Sequence, residues 1–288
     1  MQIIKSISGL RARLDQARAD GQRVGFVPTM GYLHDGHGSL MKRARDECEL
    51  VVVSIFVNPL QFAPDEDLAS YPRDLQRDTA LAQSCGVDIL FVPEVIEMYP
   101  NGQVKTQVSV PELAAHWDGA SRPSHFTGVA TVVSKLFNIV GPCHAYFGRK
   151  DFQQLVVIRQ MATDLSMPVT VVGCPTIREA DGLAMSSRNS YLSPADRQAA
   201  VVIYQGLQQG KRAALAGETN PAAIVQTVTD VICCELRATI DYVAAVDRAS
   251  LTVPEWLSAE SLILVACWFG KTRLIDNVLI RRGDATAE

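Results

Sequence analysis

The chain has 288 residues, 48% hydrophobic and 20% charged, an ordinary globular composition with enough length to bury a sizeable core. Its 27 basic and 31 acidic residues leave a net charge of −4, which argues against a generic nucleic-acid surface but leaves room for a local basic pocket. The seven cysteines (Cys48, Cys85, Cys143, Cys174, Cys233, Cys234 and Cys267) are odd in number, scattered and without CxxC spacing. That pattern excludes a disulfide framework or a zinc knuckle and predicts buried apolar thiols in a reducing compartment.

In chain order, residues 23–28 (RVGFVP) predict a strand, 38–47 a helix, 50–57 (LVVVSIFV) a buried strand, 74–84 a helix and 88–92 (DILFV) a strand. Residues 129–139 predict a helix, 144–147 a short strand, 152–165 a helix and 169–172 a closing strand. Continuous apolar strands alternating with helices imply a parallel sheet covered on both faces, a doubly wound α/β domain whose ligands bind beyond the carboxyl ends of the strands. The pattern then changes to helices at 194–215 and 221–239 and strands at 241–247, 262–269 and 274–279, a smaller α+β unit. The boundary falls near Thr176, giving domains 1–176 and 177–288, and a cleft between them is the expected place for an active site. Residues 1–8 lack the long apolar core of a secretory signal, and the apolar runs 51–57 and 262–268 are too short to cross a bilayer. A cytoplasmic protein with no membrane or nucleic-acid partner is expected.

Four segments carry chemistry. Residues 28–40 read PTMGYLHDGHGSL, a strand followed by a turn at Gly31 and Gly36, with a helix starting near His37 or Gly38. Backbone amides at such a helix start form an anion site. His34 and His37, three apart, share one face of a helical turn and can donate to phosphate oxygens as pyrophosphate leaves. Two other readings stay open: a structural pair, or a metal pair that would need further ligands, for which only His116, His125 and His144 remain.

Residues 55–62 read IFVNPLQF. The Asn-Pro step ends the strand, so Asn58 and Gln61 lie at its carboxyl end, where an amide suits a small hydroxy acid; an ordinary turn is the alternative. Asp78, on the following helix, is a candidate for a magnesium ion bridging ATP phosphates, or else a solvated helix acid.

Residues 147–154 read FGRKDFQQ. The strand stops at Gly148, Lys150 can reach phosphates as a point charge, and Asp151 either caps the next helix or accepts from ribose hydroxyls. Gln154, on the same face as Asp151, can read the acid substrate together with Gln61. A capped helix with a surface lysine is the bland alternative.

Residues 177–192 read IREADGLAMSSRNSYL. Ser186, Ser187 and Arg188 all donate to phosphate oxygens, and a mobile loop around Gly182 would close on ATP; a plain interdomain linker is the alternative.

The HDGH stretch at 34–37 resembles the HxGH signature of the nucleotidylyltransferase superfamily, and PTMG followed by LHDGH resembles the pantothenate synthetase family in particular. The 177–192 segment resembles that family's counterpart of the synthetase KMSKS loop, and WFGKTRLIDN at 268–277 resembles the family more loosely. The likeness spans residues 1–279. It implies a homodimer with a Rossmann-like N-terminal domain and a smaller C-terminal lid. It implies an Mg²⁺-requiring ligase that joins (R)-pantoate to β-alanine, turning ATP into AMP and diphosphate through a pantoyl adenylate. It further implies ATP contacts at Met30, Gly31, Tyr32, Leu33, His34, Asp35, Gly36 and His37, at Gly148, Arg149, Lys150 and Asp151, and at Ile177, Met185, Ser186, Ser187 and Arg188. His37 would be the catalytic histidine, supported by His34, Lys150, Ser186, Ser187 and Arg188. Gln61 and Gln154, with Asn58, would hold pantoate, and Asp78 the metal.

Two positions depart from the family pattern. Arg149 stands where relatives often carry Glu or Gln, reversing a charge beside Lys150. Arg77 precedes Asp78 where some relatives have a second acid, so Asp78 would act alone with the phosphates. Two rival functions remain. Another HxGH nucleotidylyltransferase would keep the nucleotide in its product, so free AMP decides against it. A non-catalytic nucleotide-binding module would release no pyrophosphate.

Overall fold

The computed structural model describes residues 1–64, 66–102 and 104–281. The chain divides into two compact units, one formed by Met1–Arg149 with Gln153–Pro175, the other by Lys150–Phe152 with Thr176–Glu288.

The first unit is a doubly wound α/β layer structure. Its strands are β1 (Gln2–Ile4), β2 (Val24–Thr29), β3 (Leu50–Ile55), β4 (Ile89–Phe91), β5 (Cys143–Gly148) and β6 (Val169–Cys174). They form one parallel sheet in the order β1-β4-β3-β2-β5-β6. The connections carry α1 (Ile7–Ala19), α2 (Asp35–Glu47), α3 (Leu75–Ser84), the single turns α4 (Val95–Met98), α5 (Pro111–Ala114) and α6 (Asp118–Ser121), then α7 (His125–Val140) and α8 (Phe152–Asp164). Because side chains alternate along a strand, Leu50 and Val52 of β3 pack into the layer containing α1, α7 and α8. Val51 and Val53 pack into the opposite layer, with α2 and α3. A strand buried on both faces has to be apolar throughout, which is why residues 50–53 read without a polar break.

From β2 the chain winds one way through β3 to β4; after β5 it winds the other way to β6. The topological switch point therefore lies between β2 and β5, which pair directly, and the loops leaving their carboxyl ends open a crevice there. Those loops begin at Met30 and at Arg149.

The second unit packs α9 (Pro194–Ala199), α10 (Val202–Leu215) and α11 (Pro221–Cys233) against an antiparallel sheet of β7 (Ala238–Asp247), β8 (Glu260–Phe269) and β9 (Thr272–Arg281), in that order. Ile203, Leu207, Ile224 and Val228 from the helices meet Ile263 and Val265 of β8 in its core.

Several elements differ from the sequence expectation. The short strand β1 and the helix α1 were not anticipated. The expected helix at 194–215 is broken between Ala199 and Val202. The expected helix at 221–239 ends at Cys233, because Ala238 and Thr239 instead pair with Phe269 and Trp268 and so start β7. Helices α2 and α7 begin earlier than expected, at Asp35 and His125. Cys48, Cys85, Cys143, Cys174 and Cys267 are buried free thiols, but Cys233 and Cys234, at the end of α11, are exposed, correcting the expectation that all seven are buried.

Candidate active site

The loop after β2 is built by short polar bonds. Thr29 Oγ1 donates to Ser54 O at 2.7 Å and accepts from Gly31 N at 3.2 Å. Gly31 has φ 87°, and a Cβ there would stand 2.9 Å from Ile55 Cγ2 and 3.0 Å from Asp78 Oδ2, so only glycine fits. Tyr32 follows at φ 51°, a left-handed conformation that costs a non-glycine residue roughly 1–2 kcal/mol. Asp78 holds it in place: Tyr32 N donates to Oδ2 at 2.8 Å and Leu33 N to Oδ1 at 2.6 Å. The Asp78 side chain is buried. Burial pushes its carboxyl above the ordinary value, against the opposing pull of the two amide bonds.

These bonds give Asp78 a task other than the metal role expected of it, and that role is not visible in them. Both its oxygens accept from backbone amides of the 31–33 turn. Nor do the described residues hold any group of three or more His, Cys, Asp or Glu able to bind a metal ion. Mg²⁺ normally takes one or two carboxylates besides phosphates and water, and Asp78 is already engaged as a bracket for the turn.

Helix α2 begins at Asp35, so His34 is its N-cap and does not lie on its first turn. His34 Nδ1 accepts from Gly36 N at 3.1 Å, and His37 Nδ1 accepts from His34 N at 3.3 Å, a reciprocal capping box. The rings lie 4.1 Å apart. An accepting Nδ1 places the proton of a neutral imidazole on Nε2. The cap thus gives both histidines the same tautomer, each with an Nε2–H donor, beside the positive end of a helix that starts at the switch point.

Asn58, buried after β3, caps the turn Pro59–Gln61. Its Oδ1 accepts from Leu60 N at 3.3 Å and from the Tyr99 hydroxyl at 2.8 Å. Its Nδ2 donates to Gln61 Oε1 at 3.2 Å and to Gly128 O at 3.1 Å. Two lone pairs and two N–H groups are all the amide has, so Asn58 orients Gln61 and has no capacity left for a substrate. This corrects its expected place among the substrate contacts. With its Oε1 taken, Gln61 presents Nε2, which lies 2.9 Å from Met30 Sδ. The Gln61 carbonyl accepts from His125 Nδ1 at 2.9 Å and from Arg122 Nη2 at 3.3 Å, and Arg122 is clamped by Glu66 at 2.6 and 2.7 Å. Burial pushes the Glu66 carboxyl up, but the Arg122 hydrogen bond and charge outweigh it and hold the group below its ordinary range. Gly128 on α7 approaches so closely that a Cβ would lie 2.2 Å from Leu60 O.

At the end of β5, a Cβ on Gly148 would meet nothing within 4 Å, so protein packing does not require the glycine. Arg149 lies over β6, its Nε 3.5 Å from the place a Cβ on Gly173 would take. Gln154 is half-buried on α8. Its neighbour Gln153, which sequence alone does not single out, is buried; its Nε2 donates to Leu113 O and His116 O, both at 2.8 Å, and its Oε1 accepts from Asp118 N at 3.1 Å.

In the second unit, Lys150 Nζ stands 3.4 Å from Asp151 Oδ1, and the Lys150 carbonyl accepts from Asn277 Nδ2 at 2.7 Å. The 177–189 segment, expected as a mobile loop, is bonded within itself. Arg178 and Ala184 form an antiparallel bridge, and Met185 N donates to Ile177 O at 3.0 Å. Gly182 has φ 97°, and a Cβ there would sit 2.1 Å from the Tyr204 ring. Arg178 stacks 4.4 Å over that ring and donates to Gly182 O at 3.0 Å and to both oxygens of Asp276 at 2.6 and 3.0 Å. Ser186 Oγ caps the turn Ser187–Tyr191 by accepting from Arg188 N at 3.3 Å, and Asn189 Nδ2 donates to Ala184 O at 3.1 Å. Ser187 and Arg188 thus ride on a braced turn.

Known proteins resemble the chain over nearly its whole length. A family model described as pantoate-beta-alanine ligase matches residues 2–279. The chain belongs to the pantoate–β-alanine ligase family. Curated members named pantothenate synthetase include one from Heliobacterium modesticaldum, 55% identical over 97% of this chain and 99% of its own length. Another, from Agrobacterium fabrum, is 51% identical over 100% of this chain and 98% of its own. The crystal structure of pantothenate synthetase from Thermus thermophilus superposes with a TM-score of 0.92 at 49% identity, covering 96% of this chain and 99% of that one. A pantoate-beta-alanine ligase from Francisella tularensis, crystallised with beta-gamma ATP and beta-alanine, matches at TM-score 0.80 and 36% identity over 97% of both chains. The ligase family thus accounts for both units. Among the described residues no helix is long and apolar enough to cross a membrane. Sequence alone does not single out Tyr99, Glu66, Arg122, Arg178, Asp276 or Asn277; the available signals were the family likeness at 177–192, which contains Arg178, and the looser one at 268–277, which contains the last two.

Proposed function

We infer that the chain joins (R)-pantoate to β-alanine with ATP, releasing pantothenate, AMP and diphosphate. The observation that carries this reading is the pair of imidazoles at the start of α2, whose Nδ1 atoms both accept from backbone amides in the cap and which both lie at the switch point of the sheet. Family membership supports it.

A carboxylate must be activated before an amine can displace an oxygen from it. The pantoate carboxylate oxygen attacks the α-phosphorus of ATP; the bond from that phosphorus to the bridging oxygen breaks and its electron pair leaves with pyrophosphate. The amine nitrogen of β-alanine then attacks the acyl carbon of pantoyl adenylate, the bond to the AMP oxygen breaks, and the nitrogen loses a proton. No residue has to become covalently bonded. Catalysis is positioning and charge stabilisation. In this reading Met30, Gly31, Tyr32, Leu33, Asp35 and Gly36 line the nucleotide with His34 and His37, whose Nε2–H groups face the departing pyrophosphate. Gly148, with its open Cα, leaves room for the nucleotide, flanked by Arg149, Lys150 and Asp151. Ile177, Met185, Ser186, Ser187 and Arg188 are ATP contacts in this reading, the last three as donors to phosphate oxygens. Gln61, oriented as a donor, and Gln154 bind pantoate. A magnesium ion accompanying ATP would take its ligands from phosphate oxygens and water. A cytoplasmic homodimer is the assembly we propose, on family likeness alone.

The test is isotope exchange. Labelled pyrophosphate should enter ATP when pantoate is present and β-alanine absent, and should not do so without pantoate. His37→Ala should slow exchange and net synthesis alike, by about 100-fold or more, the scale of one oriented donor. Exchange that requires β-alanine would refute the adenylate. Full exchange in His37→Ala with synthesis lost would move His37 to the amine step.

A further inference from the structure

Strand β9 is an edge strand with an apolar partner: across from Asp276 and Asn277 stand Val265 and Leu264 of β8. Asp276 and Asn277 are nevertheless both buried, at 5% and 7% exposure. Two adjacent buried polar side chains are costly unless paired, and apolar residues would fill an apolar sheet with less penalty. Their partners explain the choice. Asp276 receives the forked guanidinium of Arg178 at 2.6 and 3.0 Å, the root of the 177–189 segment. Its Oδ1 also accepts from Asn277 N at 2.7 Å, which stiffens the strand at this point. Asn277 Nδ2 donates to the Lys150 carbonyl at 2.7 Å, and Arg178 Nη2 reaches Asn277 O at 3.4 Å. Consecutive residues of one strand therefore grip both segments of this unit to which the proposed function gives phosphate contacts.

We propose that Asn277 and Asp276 are positioning residues for adenylation: Asn277 sets the backbone of Lys150, and Asp276, through Arg178, sets the turn that carries Ser186 to Arg188. This rests on the reading of Lys150 and of that turn as phosphate contacts. Neither Asn277 nor Asp276 touches substrate. Each acts by holding another residue's main chain, and displacing a reacting group by about 1 Å can cost on the order of 100-fold in rate.

The test uses the full-length enzyme and pantoate-dependent pyrophosphate–ATP exchange. Asn277→Ala should lower the exchange rate at saturating substrate by roughly 10- to 100-fold while the pantoate KM stays near the parental value. Asn277→Asp, which keeps the size but cannot donate to the Lys150 carbonyl, should fall as far; it also serves if the alanine variant folds poorly. The deciding readout is a double-mutant cycle. In a Lys150→Ala background, Asn277→Ala should slow exchange little further, because the group it positions is already gone. A structural role alone would lower the thermal midpoint and multiply the two losses. Such independent losses, or parental exchange in Asn277→Asp with Lys150→Ala slow, would overturn the inference alone. Parental exchange in Lys150→Ala would overturn the reading of Lys150 itself, and with it the inference.

Discussion

The 29–37 and 177–189 segments are both glycine-bearing turns with donors for an anion, but they are braced by opposite charges. In the first, a buried carboxylate, Asp78, accepts from backbone amides of Tyr32 and Leu33. In the second, a half-buried guanidinium, Arg178, grips the Gly182 carbonyl and an aromatic ring, with its charge answered by the buried Asp276. A carboxylate can satisfy both oxygens with two amides. A guanidinium has five donors and needs a counter-charge when buried. The second turn therefore depends on a distant strand, whereas the first depends on one side chain of α3. The left-handed Tyr32 and Gly182 show the same division: Asp78 holds Tyr32, whereas Gly182 makes room for the Tyr204 ring.

The largest effect should come from breaking the charged brace. Arg178→Ala leaves Asp276, 4% exposed at its side chain, without its counter-charge, a change that typically costs about 3–5 kcal/mol. The unfolding transition of the second unit, followed by fluorescence of Trp256 and Trp268, should shift accordingly. Arg178→Lys keeps the charge but loses the fork and should fall between parent and Ala. A loss below about 1 kcal/mol, the scale of a surface pair, would mean that packing and not the ion pair holds the turn.

Much of the α/β unit was legible because a strand buried on both faces has to be apolar, as 50–53 are, and because turn residues mark where it ends. Helix α1 was missed although Ile7, Leu10, Leu14 and Ala17 keep a helical spacing, since charged residues separate them. In the candidate site, residue types were legible and partners were not. Lys150, Ser186 and Arg188 suggest phosphate by their chemistry alone. Asn58 also looked like a substrate amide, and only its four committed bonds show that it orients Gln61. Asp78 looked like a metal acid, but its partners lie 45 and 46 positions away, and Asp276 meets Arg178 across 98. No local pattern encodes a bond across such a span.

A smaller effect is expected at the first brace. Asp78→Asn keeps one acceptor but turns an N–H₂ toward a backbone amide, which should cost about 1–3 kcal/mol, the penalty of a buried unsatisfied donor. It should also weaken ATP binding more than pantoate binding, because the turn it holds belongs to the proposed nucleotide site. The smallest effect is its dependence on pH. Burial holds the Asp78 carboxyl above its ordinary value of 3.8 in the folded chain. Between that value and the raised one, the folded chain keeps a proton that the unfolded chain has lost, so stability falls as pH rises through the window. The contribution is fully present below 3.8 and is lost above the raised value. Asp78→Asn lacks this titration. The stability difference between parent and variant, measured by denaturation from neutral pH downward, should therefore move in the parent's favour as the solution becomes acidic. A flat difference would mean that the two amide bonds balance burial at this carboxylate, and one that moves toward the variant would mean that they outweigh it, so that the first turn too would be braced by charge.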